Sequence, residues 1–228
     1  MQQEARTITE EAILSATEFS NKMALYEAAA EMVHTRLLNF SGYYKLTGLR
    51  DPIDSIQWRL KSPLSILGKM ARLNEPFTLD NMERVLKDIA GVRVICHFIS
   101  DVYAVVDLLD RQEDIEIVTV KDYIRNPKKN GYRSVHLITM VDLQLVGGIY
   151  RVPVEIQLRT IAMNCWASCE HQLRYKKAHA LPEDAMRKLK QVADTMSEMD
   201  LLVQSIADEV FGDEKVEKTQ VSAENKEE

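Results

Sequence analysis

The chain has 228 residues, 46% hydrophobic and 28% charged, with a formal net charge of −6. That is ordinary globular composition, long enough to bury a substantial core in one large domain or two small ones. The acidic balance argues against a general polyanion binder, because nonspecific nucleic-acid affinity comes from neutralising many phosphates. No apolar run approaches the roughly 20 residues that span a bilayer. The N-terminus lacks the regions of a signal peptide, so a cytoplasmic protein is expected. Cys96, Cys165 and Cys169 cannot all pair, and each falls in an apolar element. They read as reduced core thiols, with a zinc site at the i, i+4 pair Cys165 and Cys169 as the less favoured reading.

Residues 7–46 read as one long helix, with Thr7 and Glu10 at capping-box spacing. Met23, Tyr26, Ala30, Val33, Leu37, Phe40 and Tyr44 recur at steps of three and four, a stripe for the core or a partner. Gly42, Gly48 and Pro52 mark the exit. Ser62 before Pro63 supplies the N-cap and first position of the next helix. Arg59 and Lys61 share a side of its extended lead-in, and Lys69 lies two turns inside. Three cations at a helix N-terminus suit a triphosphate; scattered surface cations are the equal alternative.

Leu79 to Lys87 reads as a helix, broken by Asp88-Ile89-Ala90-Gly91, and Val92 to Phe98 as a buried strand. Asp88 before a glycine turn is placed either to bind a metal or to cap the turn. Asp101 to Leu109 is a helix and Ile115 to Lys121 a strand. A basic, aromatic, turn-rich segment, Lys121 to Arg133, leads into two alternating runs, Ser134 to Asp142 and Gly148 to Arg159. In the second, Tyr150, Val152, Val154, Ile156 and Leu158 share one parity, and Arg151, Glu155, Gln157 and Arg159 the other. A strand repeats every two residues, so the first set faces a core and the second lines a surface.

Thr160 starts a helix to about Lys177, with Cys165, Cys169 and Leu173 inward and Asn164 and His171 on another side. Pro182 opens the last helix, where Ala185, Leu189, Val192, Met196, Met199, Val203, Ile206 and Val210 step by four and three. This second seam packs on the first helix or on another subunit. The tail 213–228 is charged and reads as disordered. The order of elements implies an α/β fold, a mixed sheet of about five strands flanked by helices. Residues 1–212 are expected to form a single domain: helix 7–46, core 51–178 and helix 182–211.

Gly-x-x-x-x-Gly-Lys, Gly-x-Gly-x-x-Gly, His-Glu-x-x-His and Gly-x-Ser-x-Gly are all missing. Two carboxylates on sheet elements, Asp88 and Glu155, remain, with cations from three segments. Hard oxygen ligands select Mg²⁺ with substrate phosphates, which points to phosphoryl-type transfer. Tyr132, on an Asn130-Gly131 turn, suits stacking on a base or a place at the core edge.

Six blocks in order carry a resemblance: Arg59-x-Lys61 with Ser65 and Lys69; Asp88-Ile89-Ala90-Gly91-Val92-Arg93; Asp122-Tyr123-Ile124; Asn130-Gly131-Tyr132-Arg133-Ser134-x-His136; Glu155-Ile156-Gln157-x-Arg159-Thr160; and Trp166-Ala167-x-x-Glu170-His171. Together they resemble the RelA/SpoT-type synthetase domain, over roughly residues 20–178. The single-domain length and the two terminal helices resemble the small alarmone synthetases and, within them, the RelP-like branch. The resemblance implies a nucleotidyltransferase-like fold, and transfer of the β,γ-pyrophosphate of ATP to the ribose 3′-oxygen of GTP or GDP. Products are then AMP and pppGpp or ppGpp, the alarmones of the stringent response. It implies ATP contacts from Arg59, Lys61, Lys69 and Arg93, and Mg²⁺ on Asp88 and Glu155, with Glu155 also the base. It implies an acceptor site of Lys128, Tyr132, His136, Gln157 and Asn164.

Long relatives also hydrolyse alarmones through a His-Asp pair; this chain has no His-Asp dipeptide, nor room for their ribosome-sensing regions, so synthesis alone is expected. Cys165 stands where the family suggests an aromatic. Some relatives form tetramers activated by product in a basic cleft; the first helix here offers mainly Lys22, Arg36 and Lys45, so a homotetramer is expected without that activation. The competing class is a module binding single-stranded RNA through Tyr123, Tyr132 and the loop cations, which would need neither carboxylate.

Overall fold

A computed structural model describes residues 2–175 and 181–212, with side chains described from 16 to 174 and from 181 onward. The helices are α1 (Gln2–Leu46), α2 (Pro63–Arg72), α3 (Leu79–Val85), α4 (Ile99–Asp110), α5 (Ile161–Tyr175) and α6 (Glu183–Phe211). The strands are β1 (Ile53–Leu60), β2 (Ala90–Cys96), β3 (Ile115–Asp122), β4 (Val135–Leu145) and β5 (Gly148–Thr160), ordered β1-β2-β5-β4-β3 in one sheet. Every pairing is antiparallel except β2 with β5. The expected α/β architecture with a mixed five-stranded sheet is therefore present. Among the described residues no helix is long and apolar enough to cross a membrane.

Period-two alternation gives the sheet two unlike faces. Val92, Val94, Leu137, Val154, Ile156 and Leu158 are buried and share one core with Tyr26, Ala30, Val33 and Leu37 of α1 and Val102, Val105 and Leu109 of α4. The apolar stripe of α1 thus covers the protein's own sheet. On the opposite face, register aligns Gln57, Arg93, Gln157 and His136 in one row across four strands. The next row is Arg59, Gly91, Glu155 and Ile138.

Several expectations need correction. The first helix already runs from Gln2, so Thr7 is inside it and does not cap it. The extended lead-in that carries Arg59 belongs to a longer edge strand, residues 53–60, paired antiparallel with β2 with one irregularity between Ile53 and Ser55. The glycine turn expected after Asp88 does not form; β2 starts at Ala90 and carries Gly91 within it. Tyr150 is 38% exposed, so it does not belong to the core. Cys165, Cys169 and Leu173 are exposed, because α5 buries Ala162, Met163, Trp166 and Ala167 instead. Cys96 alone is a core thiol. Among the described residues no group of three or more His, Cys, Asp or Glu could hold a metal ion, so Cys165 and Cys169 form no zinc site.

The seam of α6 is displaced as well. Its buried positions are Ala193, Asp200 and Ala207, while Val192, Met199, Val203, Ile206 and Val210 are exposed. The inward line is small and polar because it makes specific bonds. Thr160 Oγ1 donates to Asp200 Oδ2 at 2.6 Å, and Ser100 N donates to Gln204 Oε1 at 2.8 Å. The tail at 213–228 lies outside the described residues.

Candidate active site

Ser62 caps α2, its hydroxyl accepting from Ser65 N at 3.3 Å with Pro63 at the first position. That fixes the turn between β1 and α2, so Lys61 at the strand end and Lys69 on the helix reach the same place. Both close on Asp88 Oδ2, at 3.0 and 2.6 Å. Asp88 Oδ1 is buried without a hydrogen-bond partner. Burial raises the Asp88 pKa, but the hydrogen bonds from Lys69 and Lys61 outweigh it and hold the carboxyl below its usual range. The three cations expected at a helix N-terminus thus divide: two grip Asp88, and Arg59 stays exposed on β1.

A cavity of about 660 Å³ opens above the polar face of the sheet, lined by Arg59, Lys61, Asp88, Arg93, Glu155 and Gln157, among others. That is the size of a nucleotide-scale pocket. Gly91 pairs with Arg59 on one side and Glu155 on the other, and contributes no side chain between them, so the floor lies open there. Trp58 and Gln57 also line it.

Glu155 sits where the two halves of the site meet. Burial raises its pKa; hydrogen bonds from His136 and Gln157, with the His136 charge, bring it below the usual value, and Asp88 pushes weakly the other way. His136 Nδ1 is 3.1 Å from Glu155 Oε1, and Gln157 Nε2 donates to Oε2 at 2.9 Å. His136 Nε2 meets the Tyr132 hydroxyl at 2.6 Å. The Lys128 ammonium lies 4.8 Å from the centroid of the Tyr132 ring. Asn164 joins through Arg159. Every residue expected at the site is therefore brought into one connected patch, with Arg59, Lys61, Lys69, Asp88 and Arg93 on one side of Glu155 and Lys128, Tyr132, His136, Gln157 and Asn164 on the other.

The loop carrying Tyr132 is fastened to α6. Gly131 has φ +89°, and a Cβ there would stand 2.5 Å from Ala193 Cβ; only glycine fits both the dihedral and the approach. Arg133 Nη1 donates to Gly131 O at 3.1 Å and to Ala193 O at 3.2 Å. Trp166 Nε1 donates to Leu189 O at 2.9 Å, and Tyr132 packs on the small cluster of Trp166, Ala167 and Ala193. Gly131, Arg133 and Trp166 stand in the motif blocks without a task there, since their partners on α6 are distant in sequence, 60 residues from Arg133 and 23 from Trp166. Arg159, placed by parity on an open surface, is only 6% exposed.

A fit for a divalent metal rests on the donor set. Asp88 Oδ1 is a buried carboxylate oxygen with no partner, and Glu155 faces the same cavity. Two hard carboxylates beside cations able to hold phosphates match an oxygen-preferring cation completed by substrate.

Comparison with known proteins identifies the family. The family model "Region found in RelA / SpoT proteins" matches residues 58–180. The chain is 40% identical over 193 residues to the GTP pyrophosphokinase YwaC of Bacillus subtilis, covering 85% of this chain and 92% of that protein. It superposes on small alarmone synthetase 1 of Bacillus subtilis bound to its product pppGpp with a TM-score of 0.78 and 35% identity, over 85% of this chain and 98% of that one. The same synthetase bound to AMPCPP gives a TM-score of 0.72 and 31% identity, over 85% and 98% of the two chains. With the sheet, the cavity and the ordered motifs in agreement, the chain belongs to the RelA/SpoT family.

Proposed function

We propose that the protein is a synthetase-only GTP pyrophosphokinase, transferring the pyrophosphate of ATP to the 3′-hydroxyl of GTP or GDP to give pppGpp or ppGpp and AMP. The observation that carries this reading is the placement of Glu155 between a cationic cavity and an aromatic acceptor patch. The likeness to a GTP pyrophosphokinase over most of both chains supports it. Residues 1–212 act as one synthetase domain.

In this reading ATP occupies the cavity, with Arg59 and Arg93 beside its adenine and Lys61 and Lys69 turning from Asp88 to its phosphates. Asp88 and Glu155 would hold Mg²⁺, which supplies charge neutralisation on the phosphates and polarisation of the β-phosphorus. A ribose hydroxyl is a poor nucleophile and needs a base. Glu155, kept ionised by His136 and Gln157, takes the 3′-hydroxyl proton. The 3′-oxygen forms its bond to the β-phosphorus as the bond to the α,β-bridging oxygen breaks, and AMP leaves. Tyr132 stacks on guanine, with Lys128, His136, Gln157 and Asn164 completing the acceptor site. The setting is the stringent response in the cytoplasm.

The exposed row Val192, Met199, Val203, Ile206 and Val210 on α6 supports a homo-oligomer, read here as a tetramer; a monomeric mass by light scattering would exclude it. The test of the function is incubation with ATP, GTP or GDP and Mg²⁺, followed by anion-exchange separation. AMP rising in step with a more highly charged guanosine nucleotide is the expected result. Unchanged ATP and GTP with folded protein would overturn the assignment and leave a binding module.

A further inference from the structure

Arg159 is the penultimate residue of β5, at the turn into α5. Its guanidinium is enclosed, with the residue 6% exposed. Nη2 donates to the Tyr132 hydroxyl at 2.8 Å and to Gln157 Oε1 at 3.1 Å, and Nη1 to Asn164 Oδ1 at 3.4 Å. The guanidinium carbon lies 5.3 Å from the centroid of the Tyr132 ring. Nε is buried with no hydrogen-bond partner. Among the described residues no carboxylate forms an ion pair with it. Its charged neighbour is another cation, Arg93, whose pKa is lowered by burial and then by the charges of Arg159 and Arg59.

A buried cation is ordinarily paired, because an enclosed charge without a counter-charge is destabilising. Arg159 departs from this rule: it is held by three neutral oxygens and faces a second arginine. All three oxygens belong to residues of the acceptor half-site. One guanidinium thereby fixes the Tyr132 ring, the Gln157 amide and the Asn164 amide relative to one another, and the Gln157 amide in turn donates to Glu155.

We infer that Arg159 is a positioning residue for the acceptor: it clamps Tyr132, Gln157 and Asn164 into one recognition surface, and its unbalanced charge is neutralised by the polyphosphate of the guanosine nucleotide that binds there. This rests on the pyrophosphokinase reading above. The free protein keeps a destabilising charge at this point, and the bound nucleotide removes the imbalance. A residue with a merely structural task behaves in the opposite way, since its removal weakens the free fold.

The test compares wild type, Arg159→Met and Arg159→Lys by thermal unfolding without nucleotide and by initial rates with GDP and ATP varied separately. Arg159→Met is expected to melt close to wild type, because relief of an unpaired buried charge offsets the loss of three hydrogen bonds to neutral oxygens. Its KM for GDP should rise about tenfold to a hundredfold, the loss expected of a charge-assisted hydrogen-bonded clamp. Its KM for ATP should change several-fold less than its KM for GDP, since Arg159 reaches the ATP side only through Arg93 and Gln157. Arg159→Lys keeps the charge without the planar fork and should fall between the two in GDP KM. An unchanged GDP KM in both variants, with wild type active, overturns the inference alone. A melting temperature well below wild type in both variants also overturns it, by showing that Arg159 supports the free fold. A wild type without pyrophosphate transfer removes the parent reading, a distinguishable failure.

Discussion

Replacing Asp88 by Asn isolates the meaning of its two lysine contacts. Both ammonium groups lie within 3.0 Å of one carboxylate oxygen, so they are at most about 6 Å apart. At an effective dielectric near 20, two unit charges at that separation repel by about 3 kcal/mol. With Lys61 and Lys69 21% and 30% exposed, solvent screening reduces this to about 1 kcal/mol. Loss of the charge-assisted hydrogen bonds adds a comparable amount. The free variant should therefore be less stable by about 1–3 kcal/mol, a fall in Tm of roughly 3–8 °C for a chain of this size. Metal-free ATP should respond in the opposite sense. In wild type its phosphates compete with Asp88 for both lysines; in the variant the lysines are unclaimed. Binding in EDTA, followed through the Trp58 fluorescence at the cavity wall, should tighten about fivefold for a gain near 1 kcal/mol. Turnover with Mg²⁺ should vanish. Weaker binding of metal-free ATP by Asp88→Asn than by wild type would refute the exchange of partners described here.

Glu155→Gln should remove turnover, measured as AMP release, while the melting temperature stays within a few degrees of wild type, about 1 kcal/mol in stability. Near-normal activity in that variant would withdraw the base assignment. Tyr132→Ala should raise KM for GTP and GDP about tenfold, on the scale of a lost base–aromatic stack; an effect confined to ATP would contradict its place in the acceptor site. Asp200, on the buried face of α6, has a pKa raised by burial despite the Thr160 hydrogen bond. A carboxyl raised on folding disfavours the folded state above its unfolded pKa, so Asp200→Asn should raise Tm at neutral pH and lose that gain below pH ~4. Asp88 and Glu155 have lowered pKa values and run the other way. Their stabilisation holds above the ordinary carboxylate range and is lost as pH falls through their depressed folded pKa, so acid titration of the Asn and Gln variants should show smaller losses than wild type.

The legible parts of the sequence were those with a short period. Alternation in 148–159 placed Glu155 and Gln157 on one face, and Ser62-Pro63 marked the start of α2 within a residue. The six motif blocks named the family, because their order along the chain carried information that no spacing holds. The illegible parts were contacts between distant segments. Periodicity on α6 marked its large apolar residues, but the buried line is Ala193, Asp200 and Ala207, with Asp200 bonded to Thr160 and the neighbouring Gln204 to Ser100. Parity gave Arg159 the right face of β5 and the wrong environment, since α5 and the Tyr132 loop close over it.

The parallel pairing of β2 with β5 also bears on the order in which the site assembles during synthesis. Gly91 and Glu155 are neighbours across that pair, yet they lie 64 positions apart in sequence, so their meeting carries a loop-closure entropy that a hairpin such as β4–β5 avoids. The local hairpin can form early; the strand that brings Arg93 beside Gln157 must wait for it. The Tyr132 loop waits longer still, because Ala193 reaches the ribosome exit after every strand is complete. A nascent chain stalled before α6 would have its sheet and its cavity without the contacts that fasten Gly131 and Arg133 to Ala193.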